Sequence, residues 1–292
     1  MSEAAKAPRV LITNDDGISS PGLHTLAGRA RDHGFDVVVA APARESSGSS
    51  ASITAVEDEG RIRIDRRELP GLDGVEAFAV HGAPGFISMI ASREAFGPAP
   101  DVVLSGVNRG ANVGTVILHS GTVGAALTAG ANGARALAVS LDTGINTDRF
   151  EWGIAADAAL GLMDFLLEHP VGTVLNLNVP NRPSVPEYRE ATLASFGIVQ
   201  TILAERGHQH VRLSISDTDE VAEEGTDFAL LAAGFAPVTL VHPLNIAPLQ
   251  GELPARMEAR GGVGNVAKAP ADGPRARTAL LRQLRRVLTL RT

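Results

Sequence analysis

The chain has 292 residues, 44% of them hydrophobic and 20% charged, and a formal net charge of −7 at neutral pH. This composition fits a soluble globular protein, and at this length folding buries roughly 75% of the surface an unfolded chain exposes. The lack of cysteine excludes disulfides, thiolate metal sites and a thiol nucleophile. Basic residues are scattered except for a C-terminal cluster, which argues against nucleic acid as the main partner.

In chain order, "MSEAAKAPRV" carries no apolar leader, and no stretch approaches the ~18 apolar residues of a membrane span. The expected location is the cytoplasm, with no membrane association. "RVLIT" (residues 9–13) is a short β-branched run and predicts a buried parallel strand. Leu23, Leu26, Ala27 and Ala30 follow at helical spacing, with Pro21 near the helix start. "DVVVAA" (36–41) predicts a second buried strand, and the alternation in "RIRID" (61–65) a half-exposed one. Residues 84–96 read as helix, "DVVLS" (101–105) as a third core strand, and residues 121–132 as a small-residue helix. "ALAVS" (136–140) is a fourth strand. Ile154, Ala158, Leu162 and Phe165 form the inward stripe expected of a longer helix, before "TVLNLNVP" (173–180).

Strands alternating with helices predict a three-layer, Rossmann-like α/β fold around a mostly parallel sheet. After Pro180 the pattern changes to short alternating runs, "HVRLSIS" (210–216) and "APVTLVH" (236–242), which predict hairpins that extend the core or reach a neighbouring subunit. Residues 251–274 are rich in Gly, Pro and Ala and read as a flexible linker. Residues 275–291 place Leu281, Leu284 and Leu288 on one face among arginines. Such a helix docks on its own protein or touches a membrane or RNA. The expected organisation is a catalytic core over 1–180 and a hairpin and oligomerisation extension of the same domain over 181–250. A linker and basic terminal helix follow over 251–292.

Ligands of an open parallel sheet bind beyond the carboxyl ends of its strands. Three loops rich in oxygen ligands and glycine fall at such ends: "DDG" at Asp15 and Asp16, "PARESSGSSAS" (42–52) and "SGVNRGAN" (105–112). "DDG" alone suits a turn, but adjacent carboxylates repel unless a cation neutralises them. Hard oxygen ligands select Mg²⁺, Mn²⁺ or Ca²⁺ over zinc. Gly106, Gly110 and Gly114 interleave with Asn108 and Asn112, a pattern suited to backbone contact with an anion. "HSGTVGAA" (119–126) opens a helix that Ser120 or Thr122 can cap, and an exposed helix N-terminus is an anion site. No Walker A lysine and no Gly-x-Gly-x-x-Gly after the first strand are present. A metal beside a phosphate points to a metal-dependent phosphatase.

The segments "ITNDDGISSPGL", "VVVAAPARESSGSSASIT", "LSGVNRGANVG", "HSGTVGAAL" and "LNLNVP" resemble, in that order, the motifs of the SurE family (survival protein E). "EEGTDFALLAAGFAPVTLVHPL" (223–244) resembles its C-terminal motif. The resemblance implies a metal-dependent 5′/3′-nucleotidase acting on nucleoside monophosphates. Its Mg²⁺ or Mn²⁺ ligands fall on Asp15, Asp16, Ser47 and Asn108, and a C-terminal arm is exchanged within a homodimer or homotetramer. Asp15, Asp16 and Asn108 are then the catalytic set, and Asn112, Ser120, Gly121 and Thr122 the candidates for gripping the phosphate. With no evident covalent nucleophile, the expected step is direct attack by metal-bound water.

The chain also departs from the family pattern. Thr115 and Val116 stand where an acidic pair is common, His119 replaces a Tyr, and Ala51 a His or Asn. "VRLSISD" (211–217) replaces a Tyr-Trp-Ile run whose aromatics suit base stacking. His119 is either an acid near the leaving oxygen or a surface hydrogen-bonding residue, and Trp152 is a packing residue. Rival functions are a phosphatase for another small phosphate ester or short polyphosphate, and a catalytically silent binding protein.

Overall fold

The structure is a computed structural model and describes residues 7–144, 148–196, 199–206, 211–217 and 223–244. The chain runs β1 (Arg9–Thr13), α1 (Pro21–Asp32), β2 (Asp36–Pro42), the short β3 (Glu57–Asp58) and β4 (Arg61–Ile62), β5 (Ile64–Arg67), β6 (Glu76–Val80) and α2 (Pro84–Ala91). β7 (Val102–Arg109), a 3₁₀ turn (Gly114–His119), α3 (Gly121–Ala131), β8 (Arg135–Asp142), α4 (Trp152–Gly161), α5 (Met163–Glu168) and β9 (Val174–Pro180) come next. β10 (Tyr188–Glu190), β11 (Val199–Arg206), β12 (Val211–Asp217), α6 (Asp227–Ala232) and β13 (Ala236–Leu240) follow.

Nine strands form one sheet in the order β10-β13-β9-β8-β7-β1-β2-β6-β5. From β9 to β6 the six strands run parallel in five neighbouring pairs, while β13 joins β9 and β5 joins β6 in antiparallel sense. A parallel sheet needs cover on both faces, and alternation along each strand supplies it. Val10, Ile12 and Leu104 pack with Leu23 and Leu26 of α1 and Met163 and Leu166 of α5. Leu11, Val38 and Val103 pack on the other face with Ile87 of α2 and Val123 and Ala126 of α3. The three-layer Rossmann-like α/β expectation therefore holds. Leu11 and Ile12 are fully buried at the centre, where truncation to alanine costs about 2–5 kcal/mol.

Some details differ from the sequence expectation. The helix opened by Pro84 ends at Ala91, short of Phe96. The stripe from Ile154 to Phe165 is not one helix, because the chain breaks at Leu162 into α4 and α5. Phe165 is 49% exposed and rests on the His169 ring at 4.2 Å. The inward face of α4 is carried by Ala155, Ala156, Ala158 and Ala159, all fully buried, because small residues let the helix approach the sheet. Of the two expected hairpins only one forms. β12 pairs antiparallel with β11, whereas β13 enters the main sheet between β9 and β10.

Two compact units divide the chain: residues 1–57 with 62–244, and residues 58–61 with 245–292. Of the second unit only residues 58–61 are described, a tight turn with Glu59 at φ 50° and Gly60 at φ 77°. The linker expected at 251–274 and the basic helix expected at 275–291 lie outside the described residues. Among the described residues, no helix is long and apolar enough to cross a membrane.

Candidate active site

From β1 the strand order runs to β2 and β6 on one side and to β7, β8 and β9 on the other. The connections leaving β1 and β7 therefore diverge, and a cleft opens beyond their carboxyl ends, the usual ligand position in such sheets. A cavity of about 420 Å³ lies there, bordered by Asp15, Asp16, Ser47, Asn108, Asn112 and Ser120. Six of the candidate residues, drawn from three separate loops, are thus brought to one place. Glu45, Arg109 and His119 also border it. Gly121 and Thr122 do not, and lie one layer behind.

The two acids differ in setting. Asn14 braces the turn after β1 by accepting from Gly17 N–H and donating to the Gly17 carbonyl, both at 3.2 Å. Gly17 itself has φ 95°, a conformation that favours glycine. Asp15 is 5% exposed. Burial raises its pKa, and the Thr122 hydroxyl, which donates to Asp15 Oδ1, opposes that rise together with the backbone N–H groups of Thr122 and Gly121. The start of α3 thus receives a carboxylate from its own protein. Asp16 is pushed up to about 6, by burial first and then by the neighbouring Asp15 charge. Its Oδ2 accepts from the Arg109 backbone N–H at 3.3 Å.

Neutral oxygens complete the cavity wall. Ser47, exposed, donates its hydroxyl proton to Glu45 Oε1 at 2.8 Å, which leaves its lone pairs free to face a cation. Asn108 Nδ2 donates to the Gly110 carbonyl at 2.8 Å, which leaves Asn108 Oδ1 as the acceptor toward the cavity. The register of β7 against β8 shifts between Ser105 and Asn108, and Gly106 passes so close to the Val139 carbonyl that a Cβ there would collide with it. Ser120, one of the two capping candidates, is the cap: its Oγ accepts from Val123 N–H at 3.1 Å. A Cβ on Gly121 would lie 2.6 Å from Ser49 Oγ and 2.7 Å from Asp15 Oδ2. His119 is exposed on the 3₁₀ turn.

A supporting layer escaped the sequence reading. Asn112 N–H donates to Asn178 Oδ1 at 2.7 Å, and the Asn112 carbonyl accepts from Asn176 and Asn178 Nδ2. Asn112 Nδ2 donates to Ser140 Oγ at 2.8 Å. Asn176, Asn178 and Ser140 are fully buried. The signal was the alternate asparagines of "LNLNVP", since polar residues in a core strand must find partners. Asp227 is also fully buried. Its Oδ2 accepts from Gly114 N–H at 2.8 Å and its Oδ1 from Ala194 and Phe228 N–H at 2.9 Å. It anchors the start of the turn that carries His119 and Ser120, from 113 residues away, and no local pattern announces that contact.

A divalent cation fits this arrangement. Among the described residues no group of three or more His, Cys, Asp or Glu side chains gathers as a metal site, so any site here combines two carboxylates with neutral oxygens. Hydroxyl, amide and carboxylate oxygens are hard donors suited to Mg²⁺ or Mn²⁺. The crowded pair, with both pKa values raised, is the local charge problem that such an ion relieves. The buried Ser49 Oγ, with no hydrogen-bond partner among the described residues, adds an unspent oxygen behind the wall.

The chain is similar to known proteins along most of its length. Residues 10–201 match the family described as survival protein SurE. The 5′-nucleotidase SurE of Symbiobacterium thermophilum is 37% identical over 246 residues, covering 80% of this chain and 91% of that protein. The 5′-nucleotidase SurE of Aeromonas hydrophila is 33% identical over 82% of this chain and 92% of its own length. For the 5′/3′-nucleotidase SurE of Edwardsiella ictaluri the values are 34%, 85% and 91%. The crystal structure of the SurE protein from Aquifex aeolicus superposes with a TM-score of 0.63 at 25% identity, over 81% of this chain and 94% of that one. With the match spanning the sheet strands from β1 to β10 and all three site loops, the chain belongs to the SurE family.

Proposed function

We propose that the protein is a divalent-metal-dependent phosphomonoesterase that hydrolyses nucleoside monophosphates, a 5′/3′-nucleotidase. The observation that carries this is the Asp15–Asp16 pair, crowded at the switch point of the sheet with both pKa values raised and ringed by neutral oxygens. The names of the nucleotidases to which the chain is similar support it. Asp15, Asp16, Ser47 and Asn108 hold the cation, Mg²⁺ or Mn²⁺. Once bound, it supplies Lewis-acid polarisation of the phosphoryl group and acidification of water.

The protein's own groups do the rest. Thr122, with the Gly121 and Thr122 N–H groups, favours the ionised form of Asp15 against the effect of burial and holds it in place. Asn112 and Ser120 face the phosphate, with Asn112 locked by its hydrogen bonds to Ser140 and Asn178. Transfer of a phosphoryl group asks for positioning and charge stabilisation more than covalent chemistry, and direct attack of water fits a cavity without a placed nucleophile. The β11–β12 hairpin pairs only with itself among the described strands. An isolated two-stranded hairpin is marginal in water, which supports a homo-oligomer in which a second copy packs against it.

The test is phosphate release from AMP and p-nitrophenyl phosphate with Mn²⁺, Mg²⁺ or EDTA, beside an Asp16→Ala control. The expected result is turnover with a divalent cation and loss by several orders of magnitude in the variant, a fraction of the ~8–23 kcal/mol that enzymes supply. Turnover that survives EDTA and Asp16→Ala sinks the metal site. No turnover of any phosphate ester favours a silent binding protein. A phosphoenzyme burst in rapid-quench kinetics overturns direct attack.

A further inference from the structure

One wall of the cavity carries a cation that the phosphate and metal roles leave unused. Arg109, the last residue of β7, is exposed and borders the cavity. Its backbone N–H is tied to Asp16, so its side chain starts beside the acid pair and leads outward. The guanidinium lies over the Phe150 ring, 4.9 Å from its centroid. Phe150 stacks in turn on Trp152, with centroids 5.3 Å apart and planes 20° apart. Trp152 opens α4 and presses against the start of α1: a Cβ on Gly22 would lie 3.2 Å from Trp152 Cε3 and would collide with the Val107 carbonyl oxygen. The stack therefore stands on α1 and β7, the latter also carrying Asn108. Three carboxylates border the same cavity, yet the Arg109 guanidinium forms no ion pair among the described residues.

We propose that Arg109, backed by Phe150 and Trp152, is the platform on which the nucleobase of the substrate stacks. The inference rests on the phosphatase reading above and adds the residue that recognises the base. A phosphate held by Asn112 and Ser120, beside the cation site at Asp15, Asp16 and Asn108, leaves its ribose and base to extend toward the cavity wall that Arg109 borders. A guanidinium is planar, and one face spread over an aromatic ring leaves the other to take a flat π-system. Stacking of this kind accepts any base and favours the larger purines. The expected order of preference is GMP and AMP ahead of CMP. A neighbouring hollow of about 470 Å³ between Pro42 and Ala83 also adjoins Glu45, but the ring in its lining is the His81 imidazole, with no guanidinium stacked on it among the described residues.

Steady-state kinetics with Mn²⁺ on GMP, AMP, CMP and the base-free ribose 5-phosphate test this, in the wild type, Arg109→Ala, Arg109→Lys and Phe150→Leu. Wild-type KM for GMP is expected to lie roughly tenfold below that for ribose 5-phosphate, the scale of a single base stack. All three variants are expected to bring that ratio close to one, mainly through KM, while thermal melts show the fold retained. Lysine keeps the charge and loses the plane, so a ratio restored by Arg109→Lys overturns the platform in favour of plain charge. A wild-type ratio near one, or a ratio unmoved by Arg109→Ala and Phe150→Leu, overturns it too and leaves the phosphatase reading standing. No hydrolysis of any of these esters removes both.

Discussion

The Thr122 hydroxyl, in the first turn of α3, donates to Asp15 Oδ1, 107 residues earlier at the end of β1. Both residues are buried, so this bond holds the carboxylate in a fixed orientation away from water. Thr122→Val keeps the shape and removes the donor, which leaves Asp15 to rely on backbone N–H groups. Metal affinity is expected to fall by about 10–100-fold, the usual cost of losing a group that orients a ligand. Mn²⁺ titration calorimetry checks this, and unchanged affinity removes the orienting role of Thr122.

Gly121 carries a steric prediction on the same contact. Because a Cβ there would lie 2.7 Å from Asp15 Oδ2 and 2.6 Å from Ser49 Oγ, Gly121→Ala must displace the acid or the helix start. Alanine suits a helix better than glycine does, so the melting temperature is expected to change little. Phosphate release is expected to drop by about 100-fold, the effect of an ångström-scale misplacement. Full activity in this variant means that the site is looser than the packing requires.

The pH dependence follows from Asp16. Its pKa is raised from 3.8 to about 6 in the folded chain, so the folded state holds a proton that the unfolded state has released. Stability from this group is present at low pH and is lost as pH rises through about 4 to 6. Asp16→Asn removes that titration. Without metal, its melting temperature is expected to gain on the wild type as pH climbs from 4 to 7. Adding Mn²⁺ at pH 7 is expected to reverse the order, because the cation favours the ionised pair. A difference between the two proteins that stays flat with pH in EDTA contradicts the shift.

Asp227 ties three backbone N–H groups together: those of Gly114, Ala194 and Phe228. Asp227→Ala leaves them without a partner and is expected to cost roughly 3 kcal/mol or more, read by urea unfolding. Asp227→Asn keeps an oxygen for Ala194 and Phe228 but turns an NH₂ group on Gly114 N–H. The turn that carries Ser120 is then released, and activity is expected to fall up to about 100-fold with a smaller loss of stability. Equal effects of both variants on stability alone confine Asp227 to a scaffolding role.

Much of the architecture was legible locally. Short β-branched runs alternating with helical spacing predict the parallel sheet, because burial on both faces demands apolar residues at every strand position. The order "DDG", then a serine loop, then an asparagine loop, places the candidate ligands after successive strands. Legibility fails where the partner is distant. Asn176 and Asn178 read as part of a strand, and only their contacts with Asn112 give them a role. Phe165 fits a helical stripe by spacing, yet the break at Leu162 turns it toward solvent. "APVTLVH" alternates as a hairpin strand does, and the open edge of β9 claims it instead.

From the linear chain alone came the fold class, the family motifs and the residue types that make a hard-oxygen site, because these depend on local periodicity and on side-chain chemistry. Which groups face one another was decided only by tertiary packing. Parallel strands set side by side bring Asp15, Ser47 and Asn108 to one rim, and they turn Thr122 to an acid rather than to the cavity. They also stand Arg109 on Phe150. Such contacts join residues far apart in sequence, and their geometry comes from the twist and register of the sheet, which no short segment encodes.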